Sequence, residues 1–511
     1  MQHRFNNRQI AKNIASNAVV MLISVATGLW LTPYLIHNVG LAMYGMVAMA
    51  ISVTNYMIIL NTVLDTSLGR YLSIDINSND LTKANATFNT AFWTAVALSA
   101  ALLPGIVYLS HIAPAIFDVP PGEEQPTSLL FLFVPLAFVL VLFRSVFASS
   151  AYALNRLDYK NLPVACNSLL RVAFVILIFK LASEPKVWHI GLSILLATIA
   201  SVCLAIWVWR RLTPEINVRI SDFCTQRLRE MIGMSGWLMI NQAGAILFLN
   251  IDLLVINLAL GAKASGGYAS VLQLAVLLRT TASVLASAIT PVAIRHHSKG
   301  DRDAMIKMTH SAIRWMGLLM ALPIGAVAGS SALILTLWLG RDFQSLSPLL
   351  IALTLHLCIN LPVLPLFSSQ IAMNKVRAPG LVTLCLGGLN LLLATWWVRF
   401  DTQGLGVALA GATVLTVKNA IFVPTYGARI QGLPWYSFII DIIPGVFATT
   451  CFVPIFYFLS NSHNASSGLV FVLHSTMVAA FYSVLLFYLV LSRRTREWVI
   501  NRTMVNFRFY Q

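Results

Sequence analysis

Residues Val271–Pro291 read "VLQLAVLLRTTASVLASAITP". The run is long enough to cross a bilayer, whose core of roughly 30 Å takes about 20 apolar residues as a helix. It also carries a permanently charged guanidinium, Arg279, close to its centre. A charge facing lipid at that depth costs at least about 2.5–3.5 kcal/mol, so the stretch predicts a membrane helix with one face turned to water or to a partner.

The rest of the chain agrees with a membrane reading. Of 511 residues, 58% are hydrophobic and 10% charged, which excludes a soluble domain that must cover itself with polar groups. Short connections leave room for about fourteen spans, from Asn13–Ile36 to Gly468–Leu491. The basic start "MQHRFNNRQIAK" is similar to that of a secretion signal, but the apolar run is too long and no A-x-A site follows, so the first span is expected to stay.

Placing the N-terminus inside puts 24 of the 34 Lys and Arg in inner connections and five in outer ones, with five inside spans. One missed helix would scramble the later loops, so the asymmetry supports the span count as well as the sidedness. The net charge of +16 is therefore a topology signal and an attraction to anionic headgroups, not a sign of nucleic acid.

The longest outer connection, "APAIFDVPPGEEQPT" (residues 113–127), is too short for a folded domain. No phosphate-binding G-x-x-x-x-G-K-[ST] is present, and no cofactor motif. Cys166, Cys203, Cys358, Cys385 and Cys451 fall inside spans and Cys224 in an inner loop, with no C-x-x-C pair to suggest a metal or a disulfide. His37, His111, His189 and His463 are scattered near the outer side and form no catalytic constellation.

Two hairpins hint at a repeat: "PYLIHNVGLAMYGMVAM" (residues 33–49) and "DLLVINLALGAKASGGYASVLQ" (residues 252–273). Each is an apolar helix end, a short Gly and Ala turn and an aromatic-marked restart. Because the first and seventh spans enter from the same side, the halves would be parallel six-helix repeats about an axis along the membrane normal.

"GLWLTPYLIHNVGLAMYG", "DTSLGRYLSID", "NIDLLVINLALGAKASGGYAS" and "TPVAIRHHSKGDRDAM" resemble the polysaccharide transporter (Wzx-type flippase) branch of the multidrug/oligosaccharidyl-lipid/polysaccharide (MOP) superfamily. The likeness covers nearly the whole chain in span number and order; "GAKASGGYAS" departs from it, where the family more often has an acidic residue and a single Gly. The resemblance implies an all-α polytopic membrane protein of about 14 transmembrane helices, two six-helix lobes in a V around a central cavity plus two C-terminal helices. The corresponding divisions are 1–211, 212–430 and 431–511, the last with a basic cytoplasmic tail. It implies a bacterial cytoplasmic-membrane flippase moving an undecaprenyl-diphosphate-linked oligosaccharide from the inner to the outer leaflet, coupled to H+ or Na+, without catalysis or cofactor. A polysaccharide polymerase and a chain-length regulator are the implied protein partners. The competing classes are a drug exporter of the same superfamily, which needs acidic groups for cationic drugs, and a glycan polymerase or ligase, which needs catalytic groups on a sizeable outer loop.

The charges inside spans are the candidate site. Arg279, Arg144 and Arg171 lie near mid-membrane, and Arg314 and Lys418 nearer inner ends, where snorkelling competes with a role in binding. Only Asp65, Asp252 and Asp441 oppose them, so the interior is cationic and suits a diphosphate, to which arginine offers a planar fork of donors. Arg279 either lines the cavity or pairs with Asp252. Asp252 is accordingly either an ion-coupling carboxylate or the partner of that arginine. Asp65 is a second ion-coupling candidate or pairs locally with Arg70, and Asp441 reads as solvated. Trp30, Trp188, Trp338, Trp435 and Trp498 read as interfacial belt residues. Prolines such as Pro33, Pro104, Pro135, Pro291, Pro323, Pro362, Pro365, Pro424 and Pro444 are expected to bend spans.

Overall fold

The computed structural model describes residues 7–400, 403–461 and 468–489. The basic C-terminal tail, Trp498, His463 and the first six residues lie outside them. Every secondary-structure element among the described residues is a helix, and each predicted span has its helix. These are α1 (Asn7–Val39), α2 (Leu41–Asn55 continued by Ile58–Asn77), α3 (Leu81–Ile116), α4 (Glu124–Ala153), α5 (Leu157–Leu181), α6 (Val187–Leu212) and α7 (Thr225–Leu260). The second half follows as α8 (Ala262–Ser298), α9 (Arg302–Gly329), α10 (Arg341–Asn360), α11 (Arg377–Trp397), α12 (Leu405–Gln431), α13 (Ser437–Asn461) and α14 (Gly468–Leu489). Among the described residues, twelve are long and apolar enough to cross a bilayer. The two parts of α2, bent by 45°, make a thirteenth, and α14 has a shorter apolar core, Phe471–Leu486.

The helices alternate between two faces, named here by a residue at each. Gly40, Gly122, Gly261, Gly340 and Gly404 turn the chain with positive φ on the Gly261 face. On the opposite face Asn79, Asn155 and Asn374 take the left-handed conformation in connections, which short amide side chains tolerate.

Bends fall at fewer places than the prolines suggest. Pro33, Pro104, Pro135 and Pro323 stay inside continuous helices. Breaks occur where α8 restarts at Thr290 with Pro291, and where α10 gives way to the short helix Leu364–Ala372 beside Pro362 and Pro365. A π-helical turn, Lys418–Phe422, precedes Pro424 in α12. The largest bend, in α2 at Tyr56 and Met57, has no proline.

Helices α1–α6 pack as one lobe and α7–α12 as another, and α13 lies along α9. The seam of α9 and α13 is made by small residues: a Cβ at Gly317 would lie 3.2 Å from Gly445 Cα, and one at Gly325 2.4 Å from Phe452 Cβ. The core joins Met46, Met49, Leu35 and Phe131 of the first lobe to Ile256, Tyr268 and Ile324 of the second in one cluster. The two hairpins singled out in the sequence meet there. A Cβ on Gly45 would stand 2.5 Å from the Ala262 carbonyl oxygen, and one on Gly266 2.0 Å from that of Leu41.

Candidate site between the lobes

A cavity of about 740 Å³ lies between α1, α2 and α5 of the first lobe and α7 and α8 of the second. It continues into a side chamber of about 470 Å³ between α1 and α8 that reaches toward the opposite, Asn79 face through Asn17, Asn161 and Ser287. The lining follows helical periodicity. Gln242, Ile246, Asn250 and Leu253 recur every three or four residues along α7, as do Gln273, Val276, Thr280 and Ser283 along α8.

Two of the predicted arginines meet at this cavity, one from each lobe: Arg171 on α5 and Arg279 on α8. Each has its Nε shut away without a partner, while the residue lines the open space. Among the described residues no carboxylate lines the cavity; its other polar groups are hydroxyls and the amides of Asn55, Asn167, Gln242, Asn250 and Gln273. A guanidinium group offers a planar fork of donors that suits an anion such as a phosphate.

Among the described residues no ion pair within 4.0 Å joins Asp252 to Arg279. Its Oδ2 accepts a hydrogen bond of 2.7 Å from the Tyr268 hydroxyl, and its Oδ1 is buried without a partner. A Cβ on Gly411 would lie 3.7 Å from Asp252 Oδ2 and 3.6 Å from Asn390 Oδ1, so both oxygens face the bare backbone of α12. Arg279 remains within electrostatic reach of the carboxylate.

The other predicted residues lie elsewhere. Arg144 does not line the cavity and feels the charge of Asp65. Asp65 itself pairs at 3.2 Å with Lys160 of α5. Lys418 is 6% exposed at the π-helical turn, its Nζ 5.6 Å from the ring centres of both Phe248 and Phe367. Arg314 holds Asp441 at 2.5 Å, and His310 binds the same carboxylate. Asp441 is thus 1% exposed and paired, not solvated: the turn into α13 folds it onto α9. Trp338 ties the lobes together, its Nε1 donating to the Leu29 carbonyl of the other lobe at 2.8 Å. The amides were missed because isolated Asn and Gln are unremarkable in membrane helices, although their three- and four-residue spacing on α7 and α8 was a usable signal.

The lobes are also joined at both faces. At the Gly261 face, Asp118 Oδ2 accepts from the Ala262 amide at 2.9 Å, and the Asp118 amide donates to Asn257 Oδ1 at 3.2 Å. At the Asn79 face, Arg227 of α7 binds Asp75 of α2 at 3.2 Å, and Thr87 Oγ1 donates to the same carboxylate at 2.5 Å. The connection 213–224 runs along α3, held by Asn85, Asn89 and Thr90.

Residues 10–297 match the family described as polysaccharide biosynthesis protein. The uncharacterized membrane protein EpsK of Bacillus subtilis (strain 168) is 32% identical over 495 residues, covering 96% of this chain and 97% of its own. Among solved structures, an inward-facing multidrug resistance MATE family transporter of the MOP superfamily superposes with a TM-score of 0.61 at 16% identity, over 86% of this chain and 95% of that one. A MOP superfamily transporter from Pyrococcus furiosus, reported with a binding pocket of reverse polarity, gives a TM-score of 0.58 at 16% identity over 86% and 96%.

Proposed function

We propose, from the premise that this chain belongs to the polysaccharide biosynthesis protein family and has the fold of MOP transporters, that it flips a polyprenyl-diphosphate-linked oligosaccharide across the cytoplasmic membrane of a bacterium. The observation that carries this reading is the pair Arg171 and Arg279, one from each lobe, in a cavity without a carboxylate. A diphosphate satisfies both guanidinium groups at once and draws the lobes together around it. The same lining argues against a cationic drug as cargo.

In this reading the Asn79 face is cytoplasmic, because the Lys and Arg of the connections concentrate there. Residues 1–211 and 212–430 act as the two moving bodies, with 431–511 carried on the second. The side chamber leads from the cavity toward that face, so the state described is open inward. Arg144, Arg314 and Lys418 are structural rather than cargo-binding.

Direction comes from an ion gradient, and Asp252 with Asn390 and Tyr268 is the coupling site: a buried carboxylate oxygen without a partner is where a proton or Na+ gains most. The test is a flipping assay in sealed vesicles with a labelled lipid-linked glycan and imposed gradients. Arg279→Ala should slow flipping about 10- to 100-fold, the worth of a charge-assisted hydrogen bond, with insertion intact. Arg279→Lys should recover part of the rate. Asp252→Asn should flip without responding to the gradient. Normal flipping by Arg279→Ala would overturn the assignment of the cavity.

A further inference from the structure

Midway between the two faces the lobes touch through neutral polar groups that open onto the cavity. Ser52 Oγ of α2 donates to the Asn250 carbonyl oxygen of α7 at 2.8 Å, and Asn55 Nδ2 donates to Asn250 Oδ1 at 2.9 Å. Asn250 Nδ2 has only a long bond of 3.3 Å, to the Ile246 carbonyl of its own helix. All three residues line the cavity that holds Arg171 and Arg279.

Their positions give this bridge leverage. Asn55 ends the first part of α2, directly before the 45° bend, and the Tyr56 hydroxyl beside it is buried without a partner. Asn250 stands two residues before Asp252 on α7. The bridge therefore links the one large proline-free bend of the first lobe to the helix that carries the buried carboxylate of the second.

Neutral hydrogen bonds are modest in net worth and easily exchanged where a polar competitor can reach them. The arginines satisfy a diphosphate, but the serine hydroxyl and the two amides are neutral groups that both donate and accept, matching sugar hydroxyls rather than phosphate oxygens.

We propose that Ser52, Asn55 and Asn250 form a saccharide subsite, in which hydroxyls of the sugar nearest the diphosphate replace the bonds between α2 and α7. This rests on the flippase reading and adds how a loaded carrier is told from a bare one. A polyprenyl diphosphate without sugar binds the arginines and leaves the bridge closed. The glycosylated lipid opens the bridge and frees the bend of α2.

The experiment uses the full chain in lipid nanodiscs and two sets of probes: a bare polyprenyl diphosphate, and the same lipid bearing one hexose or one N-acetylhexosamine. Wild type should bind at least one glycosylated lipid about tenfold more tightly than the bare one, the worth of one or two neutral hydrogen bonds. Asn55→Ala and Asn250→Ala should bring that ratio close to one while leaving the affinity for the bare lipid nearly unchanged. The milder Ser52→Ala should lower it partly, which guards against a folding defect in the asparagine variants. Arg279→Ala should weaken all probes alike. Backbone hydrogen exchange around residues 50–57 should rise with the glycosylated probe and not with the bare one. If the ratio survives all three substitutions while Arg279→Ala still weakens binding, the subsite is wrong and the flippase reading stands. If wild type binds none of the lipids, both fall.

Discussion

The two halves of the lobe interface are closed by different means. Toward the Gly261 face, backbone meets backbone: Gly45 and Gly266 leave no room for a Cβ against Ala262 and Leu41, and Gly261, with φ +87, brings the α8 amides onto Asp118. Toward the Asn79 face the contacts are made by side chains of α2, α3 and α7, with Arg227 reaching Asp75 across the Tyr71 ring. The edge of α1 and α8 stands apart around the side chamber. Close packing of small residues is stiff and has little middle ground between shut and parted, whereas an ion pair on flexible stems can hold while the helices shift. In the flippase reading proposed above, the Asn79-side pair is the hinge strap and the Gly261-side seam the gate that must part completely.

The largest effect is expected at the strap. The Asp75 side chain is 4% exposed, and Arg227→Ala leaves it without its cation. Removing one partner of a buried pair costs about 3–5 kcal/mol, and the low end applies because Thr87 still donates to the carboxylate. Thermal unfolding should show that fall, and Arg227→Ala with Asp75→Asn should recover most of it. A fall no larger than that of an ordinary surface pair would mean that the strap is the linker along α3 and not the ion pair.

The seam comes next. In Gly266→Ala the new methyl meets the Leu41 carbonyl oxygen at 2.0 Å, and because the obstacle is backbone no rotamer change relieves it. Overpacking of this kind costs about 1–3 kcal/mol, borne by the closed state alone, so the gate should open. In a background without the six native cysteines, Leu35→Cys, on the cavity wall, should become several-fold more reactive to an impermeant thiol reagent added at the Gly261 face. Unchanged labelling with unchanged stability would show that the seam has slack.

The same division explains what the sequence discloses. Span number is carried by twenty-residue apolar runs, and the meeting of the two hairpins by their matching Gly and Ala turns, signals that survive without tertiary detail. Arg171 and Arg279 were legible because a mid-span charge must be accounted for. Depth does not specify which way a helix face turns, however. Arg314, Lys418 and Arg144 have the same signature, yet they point to Asp441, to two phenylalanine rings and toward the field of Asp65. The cationic partners of Asp75 and Asp441 come from helices more than a hundred residues away, beyond any local pattern.

The smallest effect is expected at Asp80, five residues from Asp75 in the same corner, and it separates the strap from its surroundings. Asp80 caps α3: its Oδ1 accepts from the Lys83 amide at 3.0 Å, and the Lys83 ammonium lies 2.9 Å from Oδ2. The Lys83 amide first, and then its side chain, hold the Asp80 carboxyl below the usual carboxylate range. A carboxyl lowered by folding stabilises the protein above its unfolded pKa and loses that contribution as pH falls through the lower, folded value. Asp80→Ala should therefore lower the unfolding temperature slightly at neutral pH, and the gap to wild type should close on acidification below the carboxylate range. Because the Asp80 side chain is largely open to solvent and bonds to Lys83 of its own helix, the substitution should leave Leu35→Cys labelling as in wild type. A change in labelling as large as that from Gly266→Ala would mean that the whole turn after α2, and not the bond between Asp75 and Arg227, ties the lobes together at this face.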